Sequence, residues 1–311
     1  MERRVLQWAS AGACYGAGRS LCRRDHTITV GDVTLTETKT PAPNIQENLI
    51  FDIGMDECQD TRLYLKKGFR VVAVDANPAV CEAGAKLFPK EVATGQLTIL
   101  NRAISPTRAP LPFHVCRSLS MLSTADDFMR SRQEKDGHVF ETIEVEGTTA
   151  ADILAEFGTP YFAKVDIEGY DLICLRGFLA APVKPRYLST ELDFKQLNQH
   201  IACLKELGYK RFALVGQGSV HRQVLPRPAR EGRDVEHRFE IHSSGLFGRE
   251  LPAEWFDAKQ LSWRCWSIQI QFWIFGALKR LEIVAPLRPL LRAMRLRMSV
   301  AGEWYDVHAT Y

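Results

Sequence analysis

Lys164, Asp166 and Glu168 alternate with Val165 and Ile167 in the run Phe162-Ala-Lys-Val-Asp-Ile-Glu-Gly169. In an extended strand this spacing puts the lysine and both acids on one face. A strand buried on both sides does not carry such charges without reason, whereas the carboxyl end of a parallel strand is where ligands bind. Carboxylates placed there can take a proton from a weak nucleophile or face a bound cation. The plain alternative is an ion-pair network with Lys164. Glu191 ends a second apolar run, Tyr187-Leu-Ser-Thr-Glu, and Asp193, His114 and His242 complete the candidate bases. Asp166 and Glu191 lead that group, with Glu168 beside them, because they fall at the carboxyl ends of neighbouring strands. Asp166, Glu191 and Asp193 are also oxygen ligands of the kind that suits magnesium; we expect no metal.

The other chemistry-bearing stretch runs from Leu49 to Pro78. Asn48-Leu-Ile-Phe-Asp-Ile is an apolar run ending on Asp52 just before Gly54, and Arg70-Val-Val-Ala-Val is a second, with Asp75 at its end. Asp60-Thr61 suits the start of a short helix between them, and Gly68 its stop. Asp75 lies 21 residues past Gly54, about where an open parallel sheet holds the hydroxyls of a nucleoside ribose. Gly54-Met-Asp-Glu-Cys-Gln has one glycine where a pyrophosphate-binding turn needs three, which disfavours a nicotinamide dehydrogenase. An adenosine cofactor without phosphate, such as S-adenosylmethionine, needs only the first tight turn. An ordinary α/β turn with solvated acids is the alternative.

These residues must be held by strands and helices in alternation. Strands are predicted at 48–53, 70–75, 97–101, 161–166, 186–191 and 209–215, and helices at 60–67, 78–88, 149–157, 169–180 and 195–206. Such alternation means a parallel sheet with helices on both faces. The stretch 104–147 breaks the rhythm with Pro106, Pro110, Pro112 and serines from 118 to 123; it is either a pocket-building insertion or a mobile surface loop. We divide the chain into an N-terminal extension (1–43), a cofactor-binding domain (44–250) and an aromatic-rich, helical C-terminal region (251–311).

Composition narrows the class. The chain has 311 residues, 46% of them hydrophobic, with a net charge of +3. That fits a globular protein with a real core and gives no argument for a nucleic-acid partner. Eight scattered cysteines form no Cys-x-x-Cys pair, which favours a reducing compartment over disulfides or structural zinc. The N-terminus has a weak, glycine-interrupted apolar stretch, and no run is long enough to span a membrane. We therefore expect a cytoplasmic protein. Arg222, Arg227, Arg230 and Arg233 read as a solvated basic loop or an anion-recognising one. Residues 263–297 mix Trp263, Trp266, Ile270 and Trp273 with arginines, a segment of the sort that lies on membranes. Packing against the sheet or a second subunit is the ordinary alternative.

Taken together, Phe51-Asp-Ile-Gly, the run from Tyr64 to Pro78, Lys164-Val-Asp-Ile-Glu-Gly, Tyr187-Leu-Ser-Thr-Glu-Leu, Leu207-Gly-Tyr-Lys-Arg-Phe, Ser243-Ser-Gly-Leu-Phe-Gly and Trp304-Tyr-Asp-Val-His resemble the FkbM-type family of S-adenosylmethionine-dependent methyltransferases. The resemblance covers about 48–250 well and the tail loosely. It implies a Rossmann-like, seven-stranded class I methyltransferase sheet with helices on both faces. It also implies roles by position: Asp52 and Gly54 shaping the turn around the methionine part of the cofactor, Asp75 on the ribose, Asn101 and Ala103 near the adenine, and Asp166 beside the sulfonium. The acceptor it implies is a hydroxyl, of a sugar, glycolipid or secondary metabolite. Cys58 stands where the family has a second glycine. A cofactor-binding or interaction protein with a degenerate fold is the alternative from another class.

Overall fold

The computed structural model describes residues 44–280 and 304–311. The N-terminal extension expected over 1–43 lies outside the described residues, as does the 281–297 part of the basic, aromatic segment. The elements in chain order are β1 (Ile45–Ile53), α1 (Gln59–Lys66), β2 (Arg70–Asp75), α2 (Pro78–Leu87), α3 (Pro89–Ala93), β3 (Leu97–Asn101), β4 (Ala103–Ile104) and β5 (Leu111–Cys116). They continue with α4 (Asp127–Lys135), β6 (Phe140–Val145), β7 (Gly147–Thr148), α5 (Ala150–Phe157), β8 (Thr159–Val165) and α6 (Asp171–Phe178). Last come β9 (Tyr187–Glu191), α7 (Leu197–Glu206), β10 (Arg211–Gly216), α8 (Ala258–Arg280) and β11 (Tyr305–Thr310).

Seven strands form one sheet in the order β10-β11-β9-β8-β1-β2-β3. All neighbours are parallel except β11, which runs antiparallel to both β9 and β10. The six predicted strands are all present and share this sheet. The seventh, β11, comes from the C-terminal region expected to be helical, so that region supplies a sheet strand as well as α8. Its sequence has only 6 residues and follows β10 by nearly ninety, so no alternation with a preceding strand announces it.

The period of two along each strand divides the core into two layers. Leu49, Phe51 and Ile53 of β1, Ala163 and Val165 of β8, and Val307 and Ala309 of β11 face Leu154, Leu175, Leu204, Leu261 and Cys265 of the helices on one side. Ile50, Ala73 and Phe162 face Leu63 and Tyr64 of α1 and the apolar residues of 220–251 on the other. Phe162, Phe247 and Tyr64 lock this second layer through ring contacts with centroids 4.9–5.9 Å apart. Thr149 and Asp152 form a reciprocal capping box at α5, where the sequence places a helix start, and Pro78 opens α2 behind an Asn77 cap.

Two local expectations are corrected. Asp60 and Thr61 do not cap α1; its N-cap is Cys58, with φ 64°, and Asp60 and Thr61 turn inward to hydrogen-bond Ser244 and Asp52. β8 stops at Val165, and Glu168 sits in a left-handed turn (φ 44°), so the Lys164–Glu168 alternation does not continue as strand. The 104–147 insertion is ordered into a hairpin of β5 and β6 with α4 beside it. The arginine loop is partly tied inward, Arg233 donating to the Lys66 carbonyl at 2.7 Å, while Arg227 pairs with Glu236 on the exposed side. Among the described residues no helix is long and apolar enough to cross a membrane, and six free cysteines are buried.

Candidate active site

The carboxyl ends of β1, β2, β8 and β9 open into a cavity of about 330 Å³. Gly54 is the pivot between β1 and α1. Its φ is 86°, and a Cβ there would lie 1.8 Å from the Asp166 carbonyl oxygen, so only glycine lets the turn pass this close to the end of β8. The Gly54 N–H donates to the Val74 carbonyl at 2.8 Å, stitching the turn to β2. Asp75, at the end of β2, accepts the Asn77 N–H at 2.8 Å and the Asp56 N–H at 3.1 Å, one on each oxygen. Each oxygen keeps a further lone pair for a hydroxyl donor in the cavity. Burial outweighs the two amides and lifts Asp75 to about 6.

Beneath the turn sits Lys164. It is buried, donates to the Gly54 carbonyl at 2.8 Å, and lies 3.5 Å from Asp52, 3.6 Å from Asp60 and 3.5 Å from Asp166. Burial works against its charge, but Asp52, Asp166 and Asp60 outweigh it and hold its pKa well above the usual lysine range. Asp52 also accepts Thr61 Oγ1 at 2.5 Å, and Asp60 accepts the Ser244 N–H at 3.0 and 3.1 Å. One cation thus ties β1, α1, β8 and the 243–244 segment together.

The register explains the position of the acids. Asp52 pairs with Lys164, Lys164 with Ser189, and Ser189 with His308, one buried polar row across the sheet. Two residues further toward the carboxyl ends of the parallel strands, on the same face, come Gly54, Asp166 and Glu191. Asp306 faces Glu191 directly across the β9–β11 ladder. Like charges so placed repel, and their pKa values rise. Glu191 is held well above the carboxylate range by burial, then by Glu168 and Asp166. Burial, then Asp166, raises Asp306 similarly, against the pull of Lys164. Burial, then Asp166 and Asp171, brings Glu168 to about 8, and Asp171 itself reaches about 7.

Of the residues singled out in the sequence, Gly54, Asp75, Ala103, Asp166, Glu168, Glu191 and His242 line the cavity. Asp52 lies below it as a buried support. Asn101 is turned aside, donating to the carbonyls of Asp75 and Ala76 at 3.1 Å each, so it braces the β2 end instead of lining the cavity. Asp193 is engaged in the turn before α7, accepting the Lys195 N–H, and His114 is held between Thr142 and Asp127 in the hairpin. Among the described residues no three His, Cys, Asp or Glu groups come together to hold a metal ion.

Sequence reasoning missed Asp60 and Asp306, which line the cavity, while the 120–123 segment lines it as the pocket-building reading of the insertion expects. Ser120 reaches Asp56 at 2.6 Å and Thr124 reaches the Glu168 carbonyl at 2.7 Å, which seats the insertion over the site. The serine run was the available signal. Cys58 occupies a backbone conformation that favours glycine. Burial, then Asp52, Asp75 and Asp56, pushes its thiol up to about 12, so it is a neutral packing group.

The Methyltransferase FkbM domain family matches residues 43–211. No curated protein matches the chain. Among solved structures, the chain is similar to a precorrin-6y C5,15-methyltransferase from Geobacter metallireducens GS-15, with 10% identity and a TM-score of 0.35 over 86% of this chain and 80% of that one. It is also similar to a precorrin 8W decarboxylase from Methanobacterium thermoautotrophicum, with 14% identity and a TM-score of 0.33 over 56% of this chain and 70% of the other. Both TM-scores are too low to define a shared fold, which rests here on the strand order. The family match spans more than half of the chain: the protein belongs to the FkbM methyltransferase family.

Proposed function

We propose that this methyltransferase is an O-methyltransferase that uses S-adenosylmethionine to methylate a hydroxyl, on a sugar, glycolipid or secondary metabolite of the cytoplasm. The observation that carries the reading is the juxtaposition, in one cavity, of a tight glycine turn with a ribose-competent carboxylate and a facing wall of proton-hungry acids. The residues fit the cofactor. Gly54, with no side chain, lines the cavity at its turn, Asp75 keeps lone pairs for two hydroxyls, and Ala103 offers a small apolar surface beside them.

Bound there, S-adenosylmethionine supplies an electrophilic methyl group on a cationic sulfur that departs as a neutral thioether. Asp166 lines the cavity beside the Gly54 turn and pairs with Lys164 at 3.5 Å, which makes it the group that orients the reacting end. Glu191 is the proton acceptor. Its raised pKa makes it a stronger base than an ordinary carboxylate toward an alcohol, and a cation bound beside it would favour its ionised form. Burial, then the nearby Glu168 and Asp166, set that pKa. Enclosure by the insertion holds the acceptor in line and keeps water out.

The test is a product assay with labelled cofactor on a panel of sugars and glycolipids, read by mass spectrometry for a gain of one methylene. Methyl transfer to a hydroxyl supports the reading. Transfer to nitrogen or carbon alone, with hydroxyl acceptors untouched, would overturn it.

A further inference from the structure

Helix α8 carries apolar residues on two opposite faces. Leu261 and Cys265 are fully buried against the sheet, and Phe272 meets the Phe194 ring edge-on at 5.6 Å. On the opposite face, at helical spacing, stand Trp263, Trp266, Ile270 and Trp273. The three indoles are 63%, 56% and 75% exposed. An ordinary surface helix has one apolar face, so this second stripe needs an occupant.

We propose that the tryptophan stripe of α8 docks the protein on an anionic lipid bilayer surface. Three observations select that occupant. Tryptophan joins an apolar ring to a polar N–H and concentrates at the membrane–water boundary. The charge is complementary: exposed Lys259 precedes the stripe by one helical turn, and the sequence from 263 to 297, whose 281–297 part lies outside the described residues, holds seven basic residues against the single acid Glu282. That balance attracts anionic headgroups and repels a second copy of the same surface. The area is also small. Three indoles exposed to this degree offer on the order of 500 Å², below the roughly 800 Å² per partner of a stable protein interface. The inference stands apart from the choice of methyl acceptor, because docking can be measured without turnover.

The full-length protein should sediment with vesicles of phosphatidylcholine and phosphatidylglycerol in equal parts. Binding should be much weaker with phosphatidylcholine alone and should fall with added salt. On binding, tryptophan emission should shift to the blue and be quenched by brominated lipid. The triple variant W263S/W266S/W273S should lose partitioning by at least about tenfold while keeping its circular dichroism and melting temperature. A single variant, Trp273→Ser at the most exposed indole, repeats the test if the triple one is unstable. Equal partitioning by variant and parent, no binding to anionic vesicles, or concentration-dependent dimerisation abolished by the same substitutions would each overturn the proposal.

Discussion

The two halves of the cavity are built in opposite ways. The half formed by β1, α1 and β2 comes from thirty-one consecutive residues, and its acids are partnered: Asp75 accepts two backbone amides, and Asp52 and Asp60 are matched to Lys164, Thr61 and Ser244. The half formed by β8, β9 and β11 gathers Asp166, Glu191 and Asp306 from three distant segments and leaves them crowded. The first half is arranged like a holder and the second like a reagent, since acids crowded against one another cost stability and persist where chemistry uses them.

If that contrast is sound, substitutions in the two halves should fail differently. Asp166→Asn should reduce kcat by about 10²-fold and change the cofactor Kd far less, as steady-state kinetics and calorimetry would show; equal loss of both would make Asp166 a binding residue only. Lys164→Met should lower unfolding free energy by about 3–5 kcal/mol, because it strands buried Asp52 and Asp60 without a cation. Urea denaturation measures this, and a loss under about 1 kcal/mol would remove Lys164 from its place as the strut.

The buried acids of both halves also predict a pH dependence. Glu168 (about 8), Asp171 (about 7), and Asp60 and Asp75 (about 6) keep protons in the folded state that the unfolded chain releases above about 4. Between those limits the folded state binds more protons, so stability is highest at low pH and falls as pH rises toward 8. We expect a decrease of about 1–2 kcal/mol from pH 5 to pH 8, discounted for partial solvent screening, and a smaller one in Glu168→Gln. A cation in the cavity opposes the trend. Affinity for S-adenosylmethionine should therefore rise over the same interval, and more steeply than affinity for uncharged S-adenosylhomocysteine.

The same contrast explains what could be read in advance. The Asp52–Gly54–Asp75 half was legible because strand, turn and strand follow one another, and because glycine and acid spacing is set by local backbone geometry. The six parallel-sheet strands were legible from apolar runs bounded by turn residues. Asp306 was not, since its place opposite Glu191 depends on an antiparallel insertion that only tertiary pairing defines. Asn101 was assigned to the cavity from its position at the end of β3, but side-chain rotation toward the carbonyls of Asp75 and Ala76 is invisible in a strand pattern. Asp60 and Thr61 looked like helix caps because their types suit caps; buried partners at Ser244 and Asp52 claimed them instead.

Titration calorimetry of S-adenosylmethionine into the parent protein and Asp75→Ala bears most directly on the cavity assignment. We expect saturable one-to-one binding by the parent and a loss of about 1–3 kcal/mol in the variant. Heat of binding unchanged by the substitution, or no binding to a folded parent protein, would contradict it.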